Sequence, residues 1–197
     1  MHANTGIMRT SDYPINPLIL KRHSPRAMSG EPVTKQELMQ LFEAARWAPS
    51  SFNNQPWRFV YGFRDTPAWD KLFALLVPAN QVWVTNGAVL VLAISSNLFS
   101  YNNKLSRTHS FDTGAACENF ALQGNSQGFV IHGMEGFDYD AARRVFNIPD
   151  TYTVEAMFCV GKPGDPQQLP EKLRAGEEPN GRKPVAEFAF EGQFKDA

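Results

Sequence analysis

Cysteine is scarce: the 197 residues hold only Cys117 and Cys159. Two thiols so far apart exclude a disulfide framework and a zinc-ligand spacing, and predict reduced, structural cysteines. No sign of charge dominates. Nineteen Lys and Arg face twenty Asp and Glu, a net charge of −1, which excludes a surface built to coat nucleic acid or anionic lipid. No long hydrophobic run is present. The longest, Ala88 to Ile94, is far short of the roughly 20 residues of a membrane helix. Met1 to Tyr13 lacks the apolar stretch of a signal peptide. The expectation is a cytoplasmic protein with neither nucleic acid nor membrane as partner. Common catalytic signatures are missing too: no G-x-G, no P-loop, no H-E-x-x-H and no C-x-x-C. The histidines at 2, 23, 109 and 132 show no metal spacing, so no metal site is expected.

What is there suits one well-packed domain. Hydrophobic residues make up 43%, with fifteen Phe and four Trp, enough for a sizeable core. Asn16-Pro17 opens a short helix. Thr34 and Glu37 form a capping box, and Leu38, Leu41, Phe42 and Ala45 repeat with helical period up to Pro49. Trp57 to Phe63 reads as a strand. Asp65 or Thr66 caps a helix carrying Trp69, Leu72, Phe73 and Leu76. Ala88 to Ser95 is an apolar strand. Asp112 is expected to cap a long helix that runs to Gln127 and stops at Gly128. A strand at Phe129 to Ile131, a loop over 133–136, a helix capped by Asp138 and a strand over Thr153 to Val160 follow. The division is a flexible leader over 1–13, a single domain over 14–161 and an extended arm over 162–197, where Phe188 and Phe190 alternate as in a terminal strand.

Four stretches bear on chemistry. Gly124-Asn125-Ser126-Gln127-Gly128 matches the G-x-S-x-G elbow of hydrolases, but helix and strand flank it in the wrong order and no acid lies between Ser126 and His132. It is a chance match at a helix end. The basic loop Lys21 to Arg26 is arginine-rich, and the guanidinium fork suits phosphate oxygens. Arg182-Lys183 in the arm is a second cationic pair. The loop Ala48 to Phe59 concentrates Ser, Asn and Gln, whose amides both donate and accept, as the pyrimidine edge of a flavin requires. A solvated charge run and a helix-ending turn are the ordinary alternatives for these loops.

These residues resemble the nitroreductase family of flavin enzymes. The resemblance rests on Arg22-His23-Ser24-Pro25-Arg26, on the A-P-S-S-x-N-x-Q-P-W-R-F loop at 48–59, and on Asp112-Thr113-Gly114-Ala115-Ala116 with Asn119, Leu122, Gln123 and Gly128. Glu135-Gly136-Phe137 and Arg182-Lys183-Pro184 complete it, in the family's order. It implies an α+β fold: a three-layer sandwich of helices around a mixed, mostly antiparallel sheet. It also implies an intertwined homodimer in which the C-terminal arm completes the partner subunit. FMN would bind at the dimer interface. Arg22, Ser24 and Arg182 would hold its phosphate, with His23 beside it and Lys183 in support. Arg26 would lie near the N1/O2 edge, stabilising charge that reduction builds there. Pro49, Ser50, Ser51, Asn53 and Gln55 would line the ring and ribityl chain from the partner, and Asn80 would meet the pyrimidine side. Met134, Glu135 and Gly136 would lie beside the ring, with the Gly136 N–H donating to N5. NADH or NADPH would deliver a hydride by a ping-pong mechanism, passed on to nitroaromatics, quinones or similar electrophiles. The alternatives are an FMN carrier or sensor and flavin-dependent dehalogenation on the same scaffold. The segment 97–111 is short where some relatives carry helices over the pocket.

Overall fold

The structure is a computed structural model that describes residues 9–196. Four strands, β1 (Trp57–Phe63), β2 (Val89–Ser96), β3 (Val130–Met134) and β4 (Tyr152–Gly161), form one sheet in the order β1-β2-β4-β3. Within the chain all three pairings are antiparallel, so the mixed element of the expected sheet is not formed by these strands. β2 lies inside the sheet and is buried on both faces, which explains its unbroken apolar run. Leu90, Leu92 and Ile94 face one side, and Val89 and Val91 the other.

Helices cover both faces, giving the expected three-layer α+β sandwich. On one face α2 (Lys35–Arg46) and α5 (His109–Ser126) pack Leu38, Leu41, Ala45, Ala116 and Phe120 against Val89, Val91 and Ile131. At Gly124 a Cβ would sit 2.6 Å from Ile131, so this bare point lets α5 approach the sheet. On the other face α3 (Pro67–Phe73), α4 (Pro78–Val84) and α6 (Tyr139–Val145) bring Trp69, Leu72, Trp83 and Ala142 onto Leu90, Leu92 and Met157. Two short helices, α1 (Pro17–Lys21) and α7 (Glu171–Arg174), flank the site described below. Among the described residues no helix is long and apolar enough to cross a membrane. Cys117 and Cys159 are free thiols, and burial pushes Cys117 up to about 12.

The Thr34 capping box forms as expected: Thr34 Oγ1 accepts from Glu37 N at 3.2 Å, and Glu37 Oε2 accepts from Thr34 N at 2.7 Å. The Thr34 N–H, and after it the Thr34 hydroxyl at 2.7 Å, hold the Glu37 carboxyl below its usual range, and Thr34→Ala removes the hydroxyl's share. Thr34→Ala is expected to cost about 1 kcal/mol. The depressed carboxyl contributes stability above its unfolded pKa and loses it as pH falls through the folded one. Thermal melts should therefore show the gap between wild type and Thr34→Ala narrowing in acid.

Three expectations are corrected. Asp112 does not cap α5: the helix begins at His109 after Thr108, and Asp112 sits buried in its first turn. Gly133 and Met134 belong to β3 rather than to a loop. Phe188 and Phe190 form no strand, because no partner strand lies beside them, and Val185–Glu187 makes a 3-10 turn instead. α4 was unforeseen, since it is short and Val77 at its N-cap supplies no capping side chain. Of the leader expected over 1–13, residues 1–8 lie outside the described residues.

Candidate active site

The phosphate-like loop begins where α1 ends. Arg22, the residue after α1, donates from Nη1 to Ser24 Oγ at 3.2 Å, and its Nε lies 3.5 Å from Glu118 of α5. The loop is fixed from beneath by β3: His132 Nδ1 lies 3.0 Å from the carbonyl of Pro25, which makes it the donor. His132 packs on Trp83 with ring centroids 4.6 Å apart, and burial lowers its pKa, keeping it neutral. Neither it nor Ser126 belongs to a hydrolase triad. Ser126 Oγ donates to the carbonyl of Gln123 at 2.7 Å, an ordinary helix-end bond.

The other wall comes from the arm. Glu177 is only 8% exposed. Its carboxylate accepts from Arg26 N at 2.8 Å and Ala27 N at 2.9 Å. Ser29 N donates to Lys162 O and Gly164 N to Ala27 O, each at 3.0 Å, so the arm runs along the loop. Within this chain residues 162–182 run beside the loop and bring Arg182 to the same cavity as Arg22. Arg22, His23, Ser24 and Arg182 converge on one cavity of about 180 Å³, joined by Arg9 and Asn180. Glu178 also lies on its wall. Burial and then the charges of Arg182 and Arg22 lower the proton affinity of Arg9, so Arg9 stands within repulsion of both guanidiniums. Lys183 is placed apart, lining an adjoining apolar groove with Tyr13, Leu20 and Phe188. Arg26 is half-buried with its side chain near Gly176 and lines neither space.

The polar loop is built differently. Phe52, Asn53 and Gln55 have φ of +52°, +52° and +48°. Such backbone is costly for residues with a Cβ, and it persists where the surroundings over-determine it. Here they do. Asp112 Oδ2 accepts from Ser51 N at 3.0 Å and from Thr108 Oγ1 at 3.1 Å. Ser50 Oγ accepts from Gln55 N at 3.0 Å. Asn54 binds the backbone of Leu98 and of Ser100, at 3.2 and 2.9 Å. Pro49, Asn53 and Gln55 are exposed, and Gln55 spends its amide on the Asn53 carbonyl at 3.1 Å.

The third group is Asn80 with Glu135 and Gly136. Asn80 Nδ2 donates to Gly136 O at 3.0 Å, and its Oδ1 accepts from Trp83 Nε1 at 3.4 Å. The Gly136 N–H meets no acceptor among the described residues. A Cβ at Gly136 would lie 2.7 Å from Asn80 Nδ2, so the position is closed to larger residues. Glu135 is exposed, whereas Met134 buries its side chain in the core and leaves only backbone to a ligand. Among the described residues no group of His, Cys, Asp and Glu is placed to hold a metal.

A sequence profile described as the Nitroreductase family matches residues 19–65 and 64–162. The chain belongs to this family. It is 26% identical over 201 residues to the Bacillus subtilis protein named "Putative NAD(P)H nitroreductase MhqN", covering 85% of this chain and 93% of that one. A solved structure described as an oxidoreductase containing FMN superposes with a TM-score of 0.91 at 42% identity, covering 96% of this chain and 97% of that one. A nitroreductase family protein from Clostridium difficile 630 shares the fold, with a TM-score of 0.69 at 20% identity over 90% of this chain and 97% of that one.

In this nitroreductase chain the expected site residues fall into separate groups. Pro49, Ser50, Ser51 and Asn53 do not line the cavity that holds Arg22 and Arg182. Their loop is tied to the first turn of α5, whereas Arg22 meets α5 at Glu118, about 9 Å further along the axis. Arg9, Asn180 and Glu177 escaped the sequence reading. Each acts through contacts more than 150 residues away in the chain, which no local pattern announces.

Proposed function

We propose that this protein is an FMN-dependent oxidoreductase. It takes a hydride from NADH or NADPH and passes it, by a ping-pong mechanism, to nitroaromatics, quinones or similar electrophiles. The observation that carries this reading is the cavity with three guanidiniums. Arg9, Arg22 and Arg182 line about 180 Å³, with Arg9 repelled by the other two and Ser24 Oγ beside them. That donor set fits a phosphate monoester dianion, whose charge would offset the repulsion. The 42%-identical neighbour that contains FMN supports the choice of flavin.

FMN, when bound, supplies the redox chemistry, accepting a hydride at N5 and passing two electrons to the acceptor. The chain's own residues bind and orient. Arg22, Ser24 and Arg182 would hold the phosphate, with His23 at the cavity wall. The free Gly136 N–H would donate to N5, and Asn80, locked to the Gly136 carbonyl, would keep that strand end in place. Arg26 would set a fixed cation by the pyrimidine edge. Its main chain is anchored by Glu177 and its guanidinium is left available.

Two copies of the chain would complete each site, with Pro49, Ser50, Ser51 and Asn53 from the second copy. The separation of that loop from the cavity in one chain supports this. So does the exposed apolar surface around it: Phe52 is 78% exposed, Phe111 80% and Trp47 73%. The test is the visible spectrum of the purified protein under anaerobic NADH and then NADPH. Bleaching that reverses when a nitroaromatic or quinone is added supports the reductase. A flavin spectrum that neither coenzyme bleaches points to a carrier or sensor, and a protein that stays colourless with FMN overturns the reading.

A further inference from the structure

Residues 9–12 precede the stretch matched by the family profile, which begins at residue 19, yet Arg9 lines the cavity that holds Arg22 and Arg182. Arg9 reaches two parts of the fold at once. Its Nη1 donates to the carbonyls of Arg22 at 2.6 Å and Leu20 at 3.2 Å, at the end of α1. Its Nε donates to the Asn180 carbonyl at 2.9 Å, and its Nη2 to Asn180 Oδ1 at 3.3 Å. Arg182 Nη1 donates to that same Asn180 Oδ1 at 2.8 Å. Two guanidiniums therefore share one neutral oxygen, two residues before Arg182. Three residues beyond it, Asp12 Oδ2 accepts from Val185 N at 2.9 Å. The segment over 9–12 thus clasps the arm on both sides of Arg182.

The hydrogen bonds of Arg9 go to three carbonyls and one amide oxygen, all neutral, so no acid is bonded to Arg9 itself, and the acids nearby are Glu178 on the cavity wall and Glu118 beside Arg22. A neutral side chain would have served for a purely mechanical clasp. A cation placed against Arg22 and Arg182 is unfavourable unless an anion occupies the space between them.

We propose that Arg9 is a positioning residue for the flavin phosphate: it aligns Arg22 and Arg182 on one cavity and adds a third positive charge to it, making the site select phosphorylated flavin over riboflavin. This rests on the FMN reading above. The ribityl chain and ring, bound elsewhere, gain nothing from Arg9.

The test measures flavin affinity by fluorescence quenching, with FMN and with riboflavin, for wild type, Arg9→Gln and Arg9→Lys. Wild type should prefer FMN. Arg9→Gln should weaken FMN by about tenfold, the effect of one modest charge interaction, and leave riboflavin unchanged. Arg9→Lys keeps the charge without the fork and should fall between, and it serves as the comparison if Arg9→Gln does not fold. Equal weakening of both flavins would mean a merely structural clasp and would overturn the proposal, as would undiminished FMN affinity. A wild type that binds FMN no better than riboflavin shows that the cavity takes no phosphate, which removes this proposal while leaving a flavin enzyme. A wild type that binds neither flavin removes the FMN reading itself.

Discussion

Arg22→Ala should lower FMN affinity by about 10- to 100-fold, the weight of a charge-assisted contact worth about 1.5–3 kcal/mol. Riboflavin affinity should stay unchanged. Arg22 is half-buried, and the end of α1, Ser24 and Glu118 hold it in place, so its charge is weakly screened and its fork is already oriented. Arg182 is exposed and spends donors on Asn180 and Gly181. Arg182→Ala should therefore act in the same direction and less strongly. The two effects should not add, because both guanidiniums face one anion and removal of either relieves repulsion on the other. Glu178 supplies an internal control: Glu178→Gln removes an acid from the same wall and should tighten FMN. Fluorescence titration of the variants decides the matter. Unchanged FMN affinity in both arginine variants would place the phosphate elsewhere.

Glu177→Ala should produce the largest loss of stability. One nearly buried carboxylate satisfies two consecutive backbone N–H groups, those of Arg26 and Ala27. Truncation orphans both, at about 1–3 kcal/mol each. For a domain of this size that is roughly a 5–15 °C fall in Tm. Glu177→Gln should recover only part, since its amide nitrogen would face a backbone donor. The same variant frees the arm beside the phosphate loop, so FMN affinity should fall with it. A melting curve tests the idea. An unchanged Tm would mean that water satisfies the two amides and that the arm does not depend on this contact.

The elements legible in the sequence are those whose determinants lie within a turn or two of chain. The Thr34–Glu37 box, the Asn16, Thr66 and Asp138 caps, and the apolar run of β2 specify themselves locally. Asp112 misled because its side chain answers to tertiary structure. It is spent on Ser51 N and Thr108 Oγ1, which leaves the start of α5 to Thr108. The alternation of Phe188 and Phe190 misled because a strand needs a neighbour to pair with, and periodicity cannot supply one. The convergence of Arg22 and Arg182 on one cavity could be anticipated because cations in short clusters stand out, with Ser24 inside one of them. Arg9, Glu177 and Asn180 could not, because each is an ordinary polar residue until the arm folds back.

The loop over 50–55 has a consequence for how such a protein can diversify. Three of its residues turn through left-handed backbone, and Asp112, Ser50 and Asn54 set the phase of each turn. One inserted or deleted residue would throw every later turn out of phase, so its length is frozen. Next to it, Phe99 to Lys104 forms a tight hairpin between Leu98 and Leu105, with exposed Tyr101 at its tip. Phe99 and Tyr101 lean on Phe52 with ring centroids 5.7 Å away. The base of that hairpin is tied to the loop through Asn54 at Leu98 and Ser100, but its tip projects into solvent, where added chain is tolerated. Variation in length is expected at the hairpin tip, while the neighbouring loop is inherited whole.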